Sequence, residues 1–515
     1  MENTLYYGDN LKVLREYIAS ESVDLIYLDP PFNSNRDYNI LFAEQDGSRA
    51  ASQIKAFGDT WRWDQGAEET YYEVVERSGD VSQVLQAFRT FLGPSDMLAY
   101  LTMMAPRLVE LRRVLKKSGT IYLHCDPTAS HYLKILMDAV FKPERFLNEI
   151  AWCYNVGGKG KRHWARKHDI ILFYSKSNDW FFDGLSVGVQ RDTGTKSFGG
   201  KMGTDEDGRR YQDKLVRATG KYYRYYIDDP KIPEDWWTGI NSIQSGAAER
   251  LGYPTQKPLA LLERIITASS QKDGVVLDPF CGCGTTISAA HHLKRNWIGI
   301  DITYLAINAI KGRLRDTYGE DMDKSYRMIG KPESLPDTQA LAGQDKYQFQ
   351  WWALDMVQAA PMLEDRKKGA DKGIDGTISF HDEYGAVTKK VIISVKGGQL
   401  KATDVRDLRG VIDRENAQIG VLLSLDEPTQ KMRTEAATTG FYNSPDDGTR
   451  HPRLQLITTE QLLQGATIDM PRRRHGYSLL KKAPKGSTSS DAGQAPLSLV
   501  AEESEPYDFD AEPDS

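Results

Sequence analysis

The sequence predicts an α/β protein, a largely parallel sheet flanked by helices and followed by a second, smaller α/β unit. Three observations carry the prediction. Short apolar, β-branched runs (residues 23–28, 120–125, 275–278 and 297–301) alternate with stretches of helical character, the rhythm of parallel strands joined by helical crossovers. Two of these runs end in a carboxylate that opens a turn, Asp29-Pro30-Pro31-Phe32 and Asp278-Pro279-Phe280-Cys281-Gly282-Cys283-Gly284. Strand ends of that kind are where open α/β sheets hold ligands. Past a polar stretch with its own prolines, strand signals return near residue 372, and 515 residues are too many for one domain.

Residues 5–10 read as a short strand closing on a turn, and 11–18 as a helix. The strand 23–28 leads into Asp29. Residues 33–95 are polar and aromatic with weak periodicity, a signature of loops and helices lying over a site. Residues 97–115 are expected to form a helix that stops before Ser118-Gly119, residues 120–125 a strand, and 131–140 another helix. Residues 149–154 and 169–174 read as a further strand pair, with a Lys-, Arg- and His-rich segment around Trp164 between them.

Residues 183–245 lose this rhythm. From Arg191 to Arg224 there are nine Lys or Arg against five acids, interleaved with Tyr222, Tyr223, Tyr225 and Tyr226. Basic residues among aromatics suit phosphates and bases, although a solvated face carries charge in the same way. Pro254-Thr255-Gln256-Lys257-Pro258 opens a helix over 259–270. The strand 275–278, a glycine turn, a helix start and the strand ending in Asp301 follow. Residues 319–343 contain Pro332 and Pro336 and read as a linker between a unit at 1–318 and a unit at 344–464. Residues 465–515 are a basic knot (Arg472, Arg473, Arg474, Lys481, Lys482, Lys485) and an acidic tail without the material for a core.

The net charge of −6 misleads, because the tail after Lys485 holds eight acids and no Lys or Arg, leaving +2 on the rest. Residues 1–10 lack a basic and apolar leader, and no apolar run approaches the ~18 residues of a membrane span. No membrane association is expected. The four cysteines (Cys125, Cys153, Cys281, Cys283) form no CxxC pair, so a reducing cytoplasm is the expected setting.

Asp29, Pro30 and Pro31 form a cluster of acceptors, since the prolines remove two backbone donors and leave their carbonyls free. Such a cluster suits an exocyclic amino group, and Phe32 adds a face for a flat ring. In the second turn, Gly282 and Gly284 let backbone approach a ligand closely, at a helix start that favours a carboxylate. Asp301 lies 23 residues beyond Asp278, near the ~20-residue offset at which an acid grips ribose hydroxyls. A dinucleotide site is the rival. However, Ile287 replaces the third glycine, and Asp278 would oppose a pyrophosphate while welcoming a cationic, amino-bearing cofactor. S-adenosylmethionine has that character.

With these residues in order, the chain resembles the β-class amino-methyltransferases of DNA over residues 4–316. The matching motifs are Asp29 through Phe32, Pro254 through Pro258, Asp278 through Gly284, and Asp301. The resemblance implies a Rossmann-like, S-adenosylmethionine-dependent fold in the permuted, β-class motif order. It implies that Asp29, Pro30, Pro31 and Phe32 are catalytic. Asp9, Lys257, Pro258, Asp278, Phe280, Gly282, Gly284 and Asp301 would serve the cofactor, with Asp9 near its adenine and Lys257 and Pro258 closing its pocket. Residues 183–245 would read double-stranded DNA. The target would be adenine N6, with cytosine N4 the alternative. A restriction subunit and a second copy of the chain are the protein partners the resemblance suggests. Other readings are an RNA or protein-glutamine methyltransferase, or a nucleic-acid-binding module with an unused cofactor pocket. Cys281 and Cys283 follow no proline, so the Pro-Cys nucleophile of cytosine-C5 enzymes is not indicated.

In the second unit, the strands 372–380 and 390–396 are joined by a turn around Gly385, so Asp375 and Lys396 are expected at one end of the hairpin. The pair resembles a PD-(D/E)xK nuclease core of the Mrr-like branch, with Asp375 implied as a Mg²⁺ ligand. Ser394 stands where that pattern has an acid or glutamine. A further ligand would have to come from Asp355, Glu364 or Asp365. An active nuclease and a DNA-binding relic are both open.

Overall fold

The computed structural model describes residues 2–31, 62–77, 79–155, 162–189, 200–216, 220–244, 247–251, 253, 255–361, 373–380, 388–445 and 448–471. Phe32, Pro254, Glu364, Asp365, the turn at Gly385 and the basic knot and acidic tail from Arg472 onward lie outside these residues.

The first unit is built on strands β1 (Thr4–Tyr7), β2 (Val23–Leu28), β3 (Leu115–Cys125), β4 (Phe146–Cys153) and β5 (His168–Ser175). A separate three-stranded antiparallel sheet follows, made of β6 (Gly200–Thr204), β7 (Arg210–Val216) and β8 (Lys221–Tyr226). Strands β9 (Trp236–Trp237), β10 (Val275–Asp278), β11 (Asn296–Asp301) and β12 (Arg327–Ile329) return to the main sheet. Its order is β12-β1-β11-β10-β2-β3-β5-β4-β9. From β12 to β3 every pairing is parallel; β5 runs antiparallel to both β3 and β4.

Helices cover both faces. Helices α1 (Asn10–Tyr17), α2 (Gln65–Glu76), α3 (Asp80–Leu92), α4 (Asp96–Val114) and α5 (Ser130–Phe141) pack on one face. Helices α6 (Leu259–Ser269), α7 (Thr285–His292) and α8 (Tyr304–Tyr318) pack on the other. Burial from both sides is why β2 reads as a continuous apolar run over residues 25–28 rather than an alternating one. The α/β class with a largely parallel sheet is as the sequence predicts. Two helices, α2 and α3, account for the described part of residues 33–95. No described helix is long and apolar enough to cross a membrane.

Two differences from the sequence reading stand out. The first is the stretch 319–343, expected as a linker. It carries β12, which extends the main sheet beside β1, and α9 (Leu335–Gln344), which a Ser334–Asp337 capping box opens. Pro336 sits in the first turn of α9, where its missing N–H has no intrahelical partner to lose. A proline that suggested a break is therefore a helix start. The second is the basic, aromatic segment, whose described part is a β-sheet that its alternating residues encode.

Helix α10 (Lys346–Met356) precedes the second sheet, formed by β13 (Ala360–Pro361), β14 (Gly376–Phe380), β15 (Lys389–Lys396), β16 (Ile419–Ser424) and β19 (Leu454–Thr458). Strands β17 (Phe441–Asn443) and β18 (Arg450–Pro452) form a separate hairpin. Helix α10 packs Phe349 and Trp352 into one apolar cluster with Tyr304 and Leu305 of α8 and with β15 and β16. It is thus wedged between the two units.

Candidate active site

Parallel pairing sets three strand ends side by side although they are far apart in sequence. Strand β2 pairs with β10, and β10 with β11. Asp29 follows β2, Asp278 ends β10 and Asp301 ends β11. Asp278 and Asp301 are buried to 3% and 4% exposure.

Each carboxylate is held by its own loop. Asp278 Oδ1 accepts the Phe280 amide at 3.0 Å. Asp301 Oδ1 accepts the amide and hydroxyl of Thr303, both at 2.9 Å, while its Oδ2 accepts the Gly282 amide at 2.9 Å. Burial pushes Asp278 up to about 7 and Asp301 up to about 6, and for Asp278 the nearby charges of Asp29 and Asp301 push in the same direction. The arrangement favours a cationic guest, because a positive charge would relieve the repulsion among three acids.

The glycine turn has the conformation its residues require. Gly282 and Gly284 have φ of +48° and +73°, and a Cβ on Gly284 would lie 2.6 Å from the Ile310 side chain. Gly284 precedes α7 without a side-chain cap, so the first amides of that helix face the turn without a capping side chain. Such an N-terminus accepts an anionic group. Cys281 and Cys283 are buried, and burial pushes both thiols up, which opposes a thiolate there.

Lys257 extends from the segment before α6 and pairs its ammonium with the Asp29 carboxylate. Pro258 is the residue preceding α6. Asp9 caps α1 by accepting the Leu11 amide at 2.9 Å, and its other oxygen takes the Arg107 guanidinium at 2.6 Å. Arg107 also donates to Asn10, whose amide donates to the Pro279 carbonyl at 2.8 Å. This Arg107–Asn10 bridge ties the Asp9 turn to the Asp278 turn. It was missed from sequence, although Arg107, the one charged residue of the apolar stretch 97–109, was a usable signal. A second buried chain was also missed. Tyr27 Oη lies 2.8 Å from His124 Nδ1, and His124 Nε2 lies 3.1 Å from Asp169 Oδ2. Tyr154 Oη donates to Asp169 Oδ1 at 3.2 Å.

The three-stranded sheet separates its residues by face. One face pairs Asp213 with Arg224 at 2.9 Å and lays that guanidinium 3.6 Å from the Tyr211 ring centroid. Arg209, in the turn before β7, pairs with Asp228 and Asp229. These two arginines, counted with the basic run, are committed to internal ion pairs. The opposite face carries Arg210, Lys214, Lys221, Tyr223 and Tyr225 and no acid from β6, β7 or β8. Arg191, Lys196 and Arg217 lie outside the described residues.

In the second unit, Asp375 Oδ2 accepts the Val395 amide at 2.6 Å and the Ser394 hydroxyl at 3.2 Å. Lys396 Nζ lies 3.6 Å from Asp404. Asp355, a candidate extra ligand, instead pairs with Lys311 of α8 at 2.8 Å. Among the described residues no group of three or more His, Cys, Asp or Glu is placed to hold a metal ion. Among the described residues the donor set does not fit Mg²⁺ at Asp375, because its carboxylate accepts hydrogen bonds from β15 and Asp355 is paired with Lys311 of α8.

Comparison with known proteins gives two family matches. Residues 23–311 match the family described as DNA methylase, and residues 349–464 match NACHT-associated inactive Restriction Endonuclease 1. Among curated proteins, the chain is 29% identical over 288 residues to Type II methyltransferase M.EcaI of Enterobacter cloacae, covering 46% of this chain and 62% of that one. It is 26% identical over 338 residues to Type II methyltransferase M.HpaI of Haemophilus parainfluenzae, covering 65% and 82%. It is 27% identical over 301 residues to the DNA adenine methyltransferase YhdJ of Escherichia coli K12, covering 58% and 78%.

Proposed function

The chain belongs to the DNA methylase family, and we propose that it transfers a methyl group from S-adenosylmethionine to the exocyclic N6 of adenine in double-stranded DNA. The observation that carries this reading is the convergence of Asp29, Asp278 and Asp301 on neighbouring strand ends with Lys257 among them. S-adenosylmethionine, when bound, supplies a cationic centre and an electrophilic methyl group. In this reading Asp278, Asp301 and the Gly282–Gly284 turn hold it, the open amides of α7 take its carboxylate, and Lys257 and Pro258 border the pocket.

Asp29 and the Pro30 carbonyl accept the two N–H bonds of the target amino group. That leaves the nitrogen lone pair pointing away from both acceptors, toward the methyl donor. A base inside a duplex cannot reach them, so the target must be turned out of the stack. The Arg210–Lys214–Tyr223–Tyr225 face is the DNA-contacting surface, its cations meeting phosphates and its tyrosines offering planes for bases.

The second unit is a restriction-endonuclease-like fold that does not cut. The match to an inactive family supports this, as does the inward hydrogen bonding of Asp375. Cleavage of unmethylated DNA in the presence of Mg²⁺, lost on Lys396→Ala, would overturn it.

Nucleoside analysis of DNA from cells expressing the chain tests the main reading. N6-methyladenine, absent with Asp29→Ala, is the expected result. N4-methylcytosine in its place would move the target to cytosine, and no modified base would remove the proposal.

A further inference from the structure

The connection between β4 and β5 has no part in the chemistry assigned so far. Its two ends are fixed at the edge of the sheet that carries Asp29. Cys153, the last residue of β4, pairs with His168, the first of β5, and Ile170 pairs with Cys125 at the carboxyl end of β3. Strand β3 in turn pairs with β2 as far as Leu28, the residue before Asp29. The base of the connection is closed twice. The Tyr154 amide donates to the Lys167 carbonyl at 3.0 Å, and Lys167 Nζ donates to the Asn155 carbonyl at 3.2 Å.

Beyond this clasp the chain exposes Arg162, His163, Trp164 and Arg166. Trp164 is 94% exposed, more than any other large hydrophobic side chain among the described residues. An indole is a large apolar body that is ordinarily well buried, so one left almost wholly in water calls for an occupant. The surroundings say which kind. Residues 162–168 contain no acid, and among the described residues neither Arg162 nor Arg166 pairs with one. A flat ring between unneutralised guanidinium groups suits a polyanion that also offers flat rings.

We propose that Trp164 enters the base stack of double-stranded DNA beside the target nucleotide, while Arg162 and Arg166 hold the flanking phosphates. The inference rests on the reading of the chain as a DNA methyltransferase. A base turned out to meet Asp29 leaves the duplex lying across the sheet edge from which this connection projects. Extrusion forfeits the stacking that the base made. A planar side chain in the gap recovers part of it and opposes the return of the base. Apolar side chains inserted at base steps act in this way in other DNA-binding proteins. Stacking on indole tolerates any sequence because every base has a π-face. The segment therefore serves extrusion, and reading of the sequence is left to other residues.

The test uses the full chain, unmethylated plasmid DNA and radiolabelled S-adenosylmethionine. Trp164→Ala lowers kcat/KM for DNA by about tenfold or more. Its thermal unfolding curve and its Kd for S-adenosylmethionine stay those of the wild type, because the side chain is exposed. Trp164→Phe, which keeps a flat ring, recovers most of the activity. The double variant Arg162→Gln/Arg166→Gln lowers the slope of log affinity against log salt by about two. Tryptophan emission, taken as the difference between wild type and Trp164→Phe, is quenched when DNA is added. Methyl transfer by Trp164→Ala at the wild-type rate, an unchanged salt slope or an absence of quenching overturns the proposal, and leaves the segment a solvated loop or a seat for an acidic protein. Quenching by DNA in a chain that transfers no methyl group would count against the methyltransferase reading alone.

Discussion

Lys257 and Asp29, 228 positions apart in the chain, form an ion pair at the mouth of the candidate active site. Their side chains are only 12% and 17% exposed. The pair joins the segment before α6 to the end of β2, so the two motifs are held together by charge as well as by sheet register. Removing one partner leaves the other buried and uncompensated, a loss on the order of 3 kcal/mol. Lys257→Met should therefore lower the unfolding free energy by about that much, because Asp29 would then face Asp278 and Asp301 alone. The double variant Lys257→Met/Asp29→Asn should recover most of the loss. Denaturant unfolding of the four proteins measures the coupling, and strictly additive losses would show that the pair does not hold the site. Methyl transfer should vanish in every variant lacking the Asp29 carboxylate, while cofactor binding persists.

The raised acid at the end of β10 gives a pH dependence with a definite sign. Burial pushes Asp278 up to about 7, so it is largely protonated at pH 6 and ionised at pH 8. A cationic cofactor favours the ionised form, and binding expels the proton. Affinity for S-adenosylmethionine should therefore rise by at least about tenfold from pH 6 to pH 8 and flatten above that, with Asp301, pushed up to about 6, adding a smaller rise in the same direction. Asp278→Asn should bind weakly at both values, with no such rise. Titration calorimetry in buffers of different ionisation enthalpy would also count the released proton.

Gln348 of α10 accepts the Tyr304 amide at 2.9 Å. Tyr304 is the first residue of α8, and Thr303 just before it holds Asp301. The second unit thereby satisfies a donor in the first turn of a helix whose preceding residue positions a candidate cofactor ligand. Gln348→Leu leaves that amide buried and unpaired, at a cost of about 1–3 kcal/mol. The expected result is a several-fold weaker cofactor Kd with kcat nearly unchanged. Gln348→Glu, which keeps an acceptor, should restore it. An unchanged Kd in the leucine variant would show that the second unit does not support this site.

Much of this was legible because motif and periodicity point the same way. The apolar run at 23–28 leading to Asp29, and the glycine turn before α7, each carry a local signature that tertiary packing keeps. What was not legible depends on partners distant in sequence. Nothing near Asn10 announces the guanidinium of Arg107, and nothing near Asp29 announces Lys257 as its counter-ion. Pro332 and Pro336 suggested a linker because a proline that breaks a helix and one that begins it differ only in context. Total charge hides a division that strand alternation makes in the basic segment, between a face with the Asp213–Arg224 ion pair and a face that carries no acid from its own strands.

That division yields a prediction that total charge cannot make. Arg209 and Arg224 are spent on Asp228, Asp229 and Asp213, so they have little charge to offer a phosphate. Arg210 and Lys214 alternate with Tyr211 and Asp213 along β7 and share their face with Tyr223 and Tyr225 of β8. Each phosphate contact releases counterions and contributes about 0.9 to the slope of log affinity against log salt. The double variant Arg210→Gln/Lys214→Gln should lower that slope by about two and weaken binding to all DNA sequences alike. Arg224→Gln should leave the slope nearly unchanged, and its effect should appear as loss of stability in the three-stranded sheet. Filter or fluorescence binding across a salt series measures both. Equal slope changes in the two variants would mean that the sheet meets DNA through its other face, or that charge on this segment acts without regard to face.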